Sequence, residues 1–225
     1  MIRRYLIVFI AFFALFAAAA SANDAGIAIS GKGLLEELRK GGYIVYFRHT
    51  QTLPEHAHEA KMRRDGKWHV EYCDTQRNLS EAGYVQARHQ RDMIAKLGIP
   101  YGKAYASQAC RTRIHAQWVV PNVAFSDALT PLRSREKGLL VRKMLNTPPA
   151  PGTNTFIFAH GGILWNATDY ASEESETFIF RPVVGDKPPE LIATIKIGEW
   201  DLMARGNLCC APRAYWRGQG EPPVD

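Results

Sequence analysis

The chain has 225 residues, 46% of them hydrophobic and 22% charged, with a formal net charge of +6. These are the proportions of an ordinary globular protein, long enough for one domain with a sizeable core. With no internal repeat or low-complexity segment, they exclude repeat and disordered architectures. The positive excess suits a small anionic partner and falls short of the basic stripe that nucleic-acid binding requires.

The first segment, Met1–Ala22, has a basic start (Arg3, Arg4), an apolar run from Tyr5 to Ala20, and the small-residue end Ala20-Ser21-Ala22. This pattern predicts a cleaved signal peptide, an exported (periplasmic or secreted) protein, and one mature domain over residues 23–225. An uncleaved anchor is the competing reading, and the cleavage-type end weighs against it, so no stable membrane association is expected afterwards. Cleavage removes two arginines and leaves a modestly positive chain. No cysteine follows the apolar run, so a lipid anchor is not indicated.

Gly33–Lys40 reads as a short amphipathic helix stopped by Gly41-Gly42, and Tyr43–Phe47 as a buried strand. Residues 51–78 are polar and carry Pro54 and Gly66; they read as a long loop or insertion, of the kind that borders functional sites. Ser80 is suited to cap a helix running to Leu97, with Ala82, Val85, Met93 and Leu97 on or near one face and Gly98 as its end. Lys103–Ser107 reads as a strand, "RTRIHAQWVV" as a helix stopped by Pro121, and Ser134–Leu145 as a basic amphipathic helix. After the breaker "NTPPAPGTN", Thr155–His160 is a strongly apolar strand and "GGILWNATDY" opens another helix. "ETFIF" and "ELIATIKI" are further strands. Strands alternating with helices predict an α/β fold, a three-layer α/β/α sandwich around a mostly parallel sheet.

In such a sheet, ligands bind beyond the carboxyl ends of the strands. The first strand ends in Arg48-His49, the second in Ser107 with Arg111 four residues on, and the third in His160-Gly161. Two imidazoles and two guanidiniums then converge without a carboxylate among them, which calls for a dianion such as phosphate. The arginine fork matches phosphate oxygens, and Gly161-Gly162 permits close backbone approach at a helix start. A neutral imidazole in this setting can attack phosphorus, with the arginines stabilising equatorial charge.

The segments "YFRHT", "NLSEAGYVQA", "ASQACRTRIHA" and "FAHGG" resemble, in order, the motifs of the histidine phosphatase superfamily, in its phosphoglycerate-mutase-like branch. The resemblance runs from about Tyr43 to Trp165, and "ELIATIKIGEW" fits the family's last strand. It implies a phosphatase acting on phosphate monoesters through a phosphohistidine, without a cofactor, on a small phosphorylated substrate. His49 corresponds to the nucleophile, and Arg48, Arg111 and His160 to the rest of the phosphate pocket. Thr50 stands where a hydroxyl can join it, and Ser107 shapes the turn before Arg111. The proton donor departs from the pattern: in "LRSREKG" Ser134 stands where mutase-like members carry Glu, leaving Glu136 and Asp127 as candidate donors beside a solvated-surface reading of both. His56, His58 and Glu59 of the insertion are other candidates.

His56-x-His58-Glu59 is also a weak metal-site pattern, and a solvated loop is the better account, so no metal is expected. His69, His89 and His115 read as helix-surface or core residues, and Arg113 as a helix-surface charge. The chain has 4 cysteines and no C-x-x-C. Sequence does not fix their pairing, but a Cys73–Cys110 bridge is expected because it would pin the insertion beside Arg111. A ring closed by the neighbours Cys209 and Cys210 is strained, so free or intermolecular thiols stay open there.

Three other functions compete with this one. A catalytically weak phosphate- or phosphosugar-binding protein on the same fold is one alternative, and a phosphotransferase or mutase is another. A serine esterase, suggested by "HGGI", lacks the necessary G-x-S-x-G. "GKGLLE" places Glu36 where a dinucleotide loop needs glycine.

Overall fold

The computed structural model describes residues 31–54, 56–131, 135–185, 187–207 and 209–210; the leader and Ser134 lie outside them. The helices are α1 (Gly31–Lys40), α2 (His56–Arg64), α3 (Glu81–Leu97), α4 (Cys110–Val119), α5 (Arg135–Leu145), α6 (Gly161–Thr168) and α7 (Glu199–Ala204). The strands are β1 (Ile44–Arg48), β2 (Tyr101–Ala106), β3 (Ala124–Phe125), β4 (Asn154–Ala159), β5 (Thr177–Arg181) and β6 (Glu190–Ile195). They form one six-stranded sheet in the order β3-β2-β4-β1-β5-β6. β3, β2, β4 and β1 run parallel, while β5 and β6 pair antiparallel to their neighbours.

The period-two pattern of the central strands separates two apolar layers. Val45 and Phe47 of β1 and Phe156 and Phe158 of β4 pack with Leu34 and Leu38 (α1), Met93 and Leu97 (α3), Val119 (α4) and Trp200 and Met203 (α7). Ile44, Tyr46, Ile157 and Ala159 face the other way, onto Val141 and Leu145 (α5) and Ile163 and Leu164 (α6). Every residue of β1 and β4 is buried, as a strand covered on both faces demands. The architecture is the expected α/β/α sandwich.

Some elements differ from expectation. The insertion is not all loop. Its segment "HAHEAKMRR" is helical although only Glu59 is buried, so it carries no apolar stripe for a pattern to reveal. In α3, Ser80 caps as expected, accepting from the Gly83 N–H at 3.1 Å, and Gly98 ends the helix at φ 63°. Its first half, however, buries Gly83, Ala87 and Gln90 while Val85 is 51% exposed. The reason is Gly83: a Cβ there would stand 2.1 Å from the Gln51 carbonyl oxygen, so the helix rests backbone to backbone on the chain leaving the first strand.

Cys73 and Cys110 form the expected disulfide. Cys209 and Cys210 are joined to each other rather than free or intermolecular. Cys210 has a left-handed backbone, φ 67°. Among the described residues no helix is long and apolar enough to cross a membrane.

Candidate active site

The register of the sheet assembles the site. Arg48 pairs with Ala159 across β1 and β4, and the His49 N–H donates to the Ala159 carbonyl at 3.1 Å. Ala106 pairs with Phe158, and the Ser107 N–H donates to the Phe158 carbonyl at 3.0 Å. His49, Ser107 and His160 therefore emerge side by side where three strands end. Cys110 and Arg111 follow Ser107 at the start of α4, held by a turn in which Ser107 Oγ accepts from the Ala109 N–H.

The expected pocket residues do come together. His49, Thr50, Arg111 and His160 are fully buried, and Arg48 nearly so. The rings of His49 and His160 lie 5.5 Å apart, edge to face. His49 Nδ1 is 3.0 Å from the Thr50 carbonyl, which fixes the proton there and points Nε2 the other way. His160 Nε2 is 3.0 Å from Ser107 Oγ, and the Tyr46 hydroxyl donates to the His160 carbonyl at 2.7 Å. Ser107 thus touches the site as well as shaping its turn. His49 Nε2, Thr50 Oγ1 and His160 Nδ1 are buried with no hydrogen-bond partner among the described residues.

Arg48 donates to the Ser172 carbonyl. Gly161 is the reason it can: a Cβ there would stand 2.9 Å from Arg48 Nη1. Burial first, then the cations Arg111 and Arg48, holds both His49 and His160 well below the ordinary histidine pKa. Both rings are neutral at physiological pH. A neutral imidazole with Nε2 unprotonated has a lone pair free to act as a nucleophile.

The insertion contributes more than its sequence suggested. Glu59 is buried, and its carboxylate accepts from Arg63 Nη2 at 2.8 Å and Trp68 Nε1 at 2.9 Å. It also lies 3.4 Å from Arg111 Nη1. Burial alone would raise its pKa, but Arg111 and Arg63 outweigh that and lower it, so it stays ionised. Arg77, fully buried, places Nη1 2.8 Å from His56 Nδ1 and Nη2 3.5 Å from Glu174 Oε1. Arg48, Arg63, Arg77 and Arg111 outnumber Glu59 and Glu174, a cationic surplus suited to a dianion.

Nothing in the sequence marks Arg77 or Glu174. One sits in a polar insertion, and the other in the acid-rich run "SEESE", where no spacing distinguishes one carboxylate from the next. The named donors stand elsewhere. Glu136 lines a groove with Leu139, Leu140, Pro182 and Val184, and Asp127 lies in a 3-10 turn after the edge strand β3. No hydrogen bond or ion pair joins either side chain to the pocket among the described residues. Ser134 lies outside them. In the H-x-H segment the residues diverge: His56 lies on Arg77, His58 bonds the Asp74 carbonyl, and Glu59 turns inward. His115 is a core residue bonded to Gln90 and packed edge-on against Phe158. Arg113 rests on the sulfurs of Cys73 and Cys110 rather than in solvent alone.

No family model and no curated protein matches the chain. Solved structures do. The protein histidine phosphatase SixA complexed with tungstate aligns at a TM-score of 0.51 and 10% identity, over 70% of this chain and 98% of that one. Phosphoserine phosphatase from Entamoeba histolytica, in complex with 3-phosphoglyceric acid, aligns at a TM-score of 0.44 and 12% identity, over 68% of this chain and 95% of that one. The likeness is one of fold: an α/β sandwich with its candidate site where the parallel strands end. This chain shares the fold of that SixA structure.

Proposed function

We propose that this chain is an exported phosphatase that hydrolyses small phosphate monoesters through a phosphohistidine on His49. The observation that carries the reading is the trio of buried, unpartnered polar atoms, His49 Nε2, Thr50 Oγ1 and His160 Nδ1, set among buried guanidiniums. Buried polar groups without partners are costly unless a ligand completes them, and a phosphoryl group does so here. In the first half-reaction Nε2 attacks phosphorus and the ester oxygen departs with its electron pair. In the second, water attacks phosphorus and the P–N bond breaks, restoring neutral His49. Arg48 and Arg111 stabilise the equatorial oxygens throughout. No cofactor is required by this chemistry. Export rests on the leader pattern, and N-terminal sequencing of the secreted protein tests it by looking for a start after Ala22.

Turnover of para-nitrophenyl phosphate tests the chemistry. His49→Ala should reduce it by at least ~1000-fold, the scale of losing a nucleophile. A His49→Ala enzyme close to wild type would overturn the reading. Absence of turnover by the wild type, with phosphate still bound, would favour the binding-protein alternative.

A further inference from the structure

One carboxylate approaches the nucleophile, and no motif assigns it. Glu174, in the loop between α6 and β5, brings Oε1 to 4.0 Å from His49 Nδ1. Its carboxylate is held by Thr52 and Arg77, with 25% of the side chain exposed. The Thr52 N–H donates to Oε2 at 3.0 Å, the Thr52 hydroxyl donates to Oε1 at 2.7 Å, and Arg77 Nη2 stands 3.5 Å away. The backbone around it is tied to the same strand: the Ser175 N–H donates to the His49 carbonyl, and the Arg48 N–H to the Glu176 carbonyl, each at 3.0 Å. Ser175 holds a left-handed φ of 69° to do so, a conformation that non-glycine residues adopt at a cost and that gathers at functional sites.

We propose that Glu174 is a positioning residue for His49: its fixed negative charge stabilises the positive charge that the imidazole acquires when Nε2 bonds to phosphorus. The inference rests on the phosphohistidine reading above. Free His49 is neutral, so the carboxylate gains little from it at rest. Once Nε2 carries the phosphoryl group and Nδ1 keeps its proton, the ring is cationic, among arginines that oppose it. A carboxylate on the Nδ1 edge then acts in the transition state more than in the ground state, which is the condition for raising kcat. Proton transfer to the leaving group would need a carboxylate across phosphorus from Nε2, in line with the departing oxygen, whereas Oε1 stands on the Nδ1 edge of the ring. In this scheme the departing oxygen takes its proton from solvent.

The test is rapid-quench trapping of the phosphoenzyme, with tungstate binding measured separately. Glu174→Gln keeps the shape and removes the charge. It should slow phosphoenzyme formation about 10- to 100-fold, as expected for a charge at this distance in a partly buried site, and leave tungstate binding as tight or tighter. The dependence of rate on leaving-group pKa should keep its wild-type slope. Three results would overturn the role: an undiminished rate, tungstate binding weakened in step with the rate (a merely structural effect), or a steepened slope (a proton donor). If the wild type traps no phosphate on His49, the phosphohistidine reading falls and this inference with it. If it traps normally and Glu174→Gln matches it, only the inference falls.

Discussion

Glu59 shows how much one side chain in the insertion is asked to do. Its two oxygens serve Arg63, Trp68 and Arg111 at once, and one of them lies 3.4 Å from the Arg77 N–H. A buried carboxylate with so many donors cannot be removed without stranding charge, and the expense of breaking such a group exceeds what the pairing contributed. Glu59→Ala should therefore destabilise the fold by about 3 kcal/mol or more. It should also weaken phosphate binding, because Arg111 loses the partner that orients its fork. Urea unfolding and phosphate calorimetry check the two effects. Unchanged stability would mean that water replaces the carboxylate and that the network is looser than its distances imply.

Among the elements, the insertion depends on one covalent tie. Cys73–Cys110 closes a separation of 37 residues and joins a 3-10 turn to the first residue of α4, next to Arg111. Gln76 reinforces the joint, accepting from the Cys110 N–H at 2.9 Å and donating to the His69 and Val70 carbonyls. The double variant Cys73→Ser, Cys110→Ser should lose about 2–4 kcal/mol of stability. Because the bridge seats Glu59 and Arg77 rather than His49, the proposed reaction predicts that KM should rise more than kcat falls. Thermal unfolding and steady-state kinetics decide it, and a variant with wild-type KM would show that the insertion docks without its bridge. The same element marks where sequence reasoning ended. Arg48-His49 and His160 were legible because continuously apolar strands end abruptly in groups costly to bury, and Arg111 because it follows the second strand's end at Ser107 by four residues. α2 was not, since a helix that buries one glutamate has no stripe. The two-residue β3 was too short to read, and the antiparallel turn of β5 and β6 depends on pairing, which local pattern does not encode. Arg77 and Glu174 become site residues only through tertiary contact.

Across the whole molecule, burying three histidines ties the stability of the fold to pH. Burial holds His115 down to about 3, against the ordinary 6.5. Burial, then Arg111 and Arg48, holds His49 and His160 well below 6.5 as well. In each case the folded pKa is depressed, so between the folded and unfolded values the unfolded chain binds more protons and stability rises with pH. The contribution is complete above 6.5. It is lost as the medium is acidified below that value, for His115 over the range from 6.5 to about 3. Each fully protonated unfolded histidine adds a slope of about 1.4 kcal/mol per pH unit, hence at most about 4 for the three together. Glu59, whose pKa is lowered from 4.5, adds a loss of the same sign at more acid pH. Activity and stability should separate in this range. In the proposed reaction His49 stays neutral after the fold has begun to weaken, so any fall in rate near pH 6 should follow the second ionisation of the phosphate monoester, at about 6. Urea midpoints measured at pH 7.5, 6 and 5 should fall progressively. A midpoint constant across that interval would mean that the three rings take up protons in the folded state and are not held neutral by their surroundings.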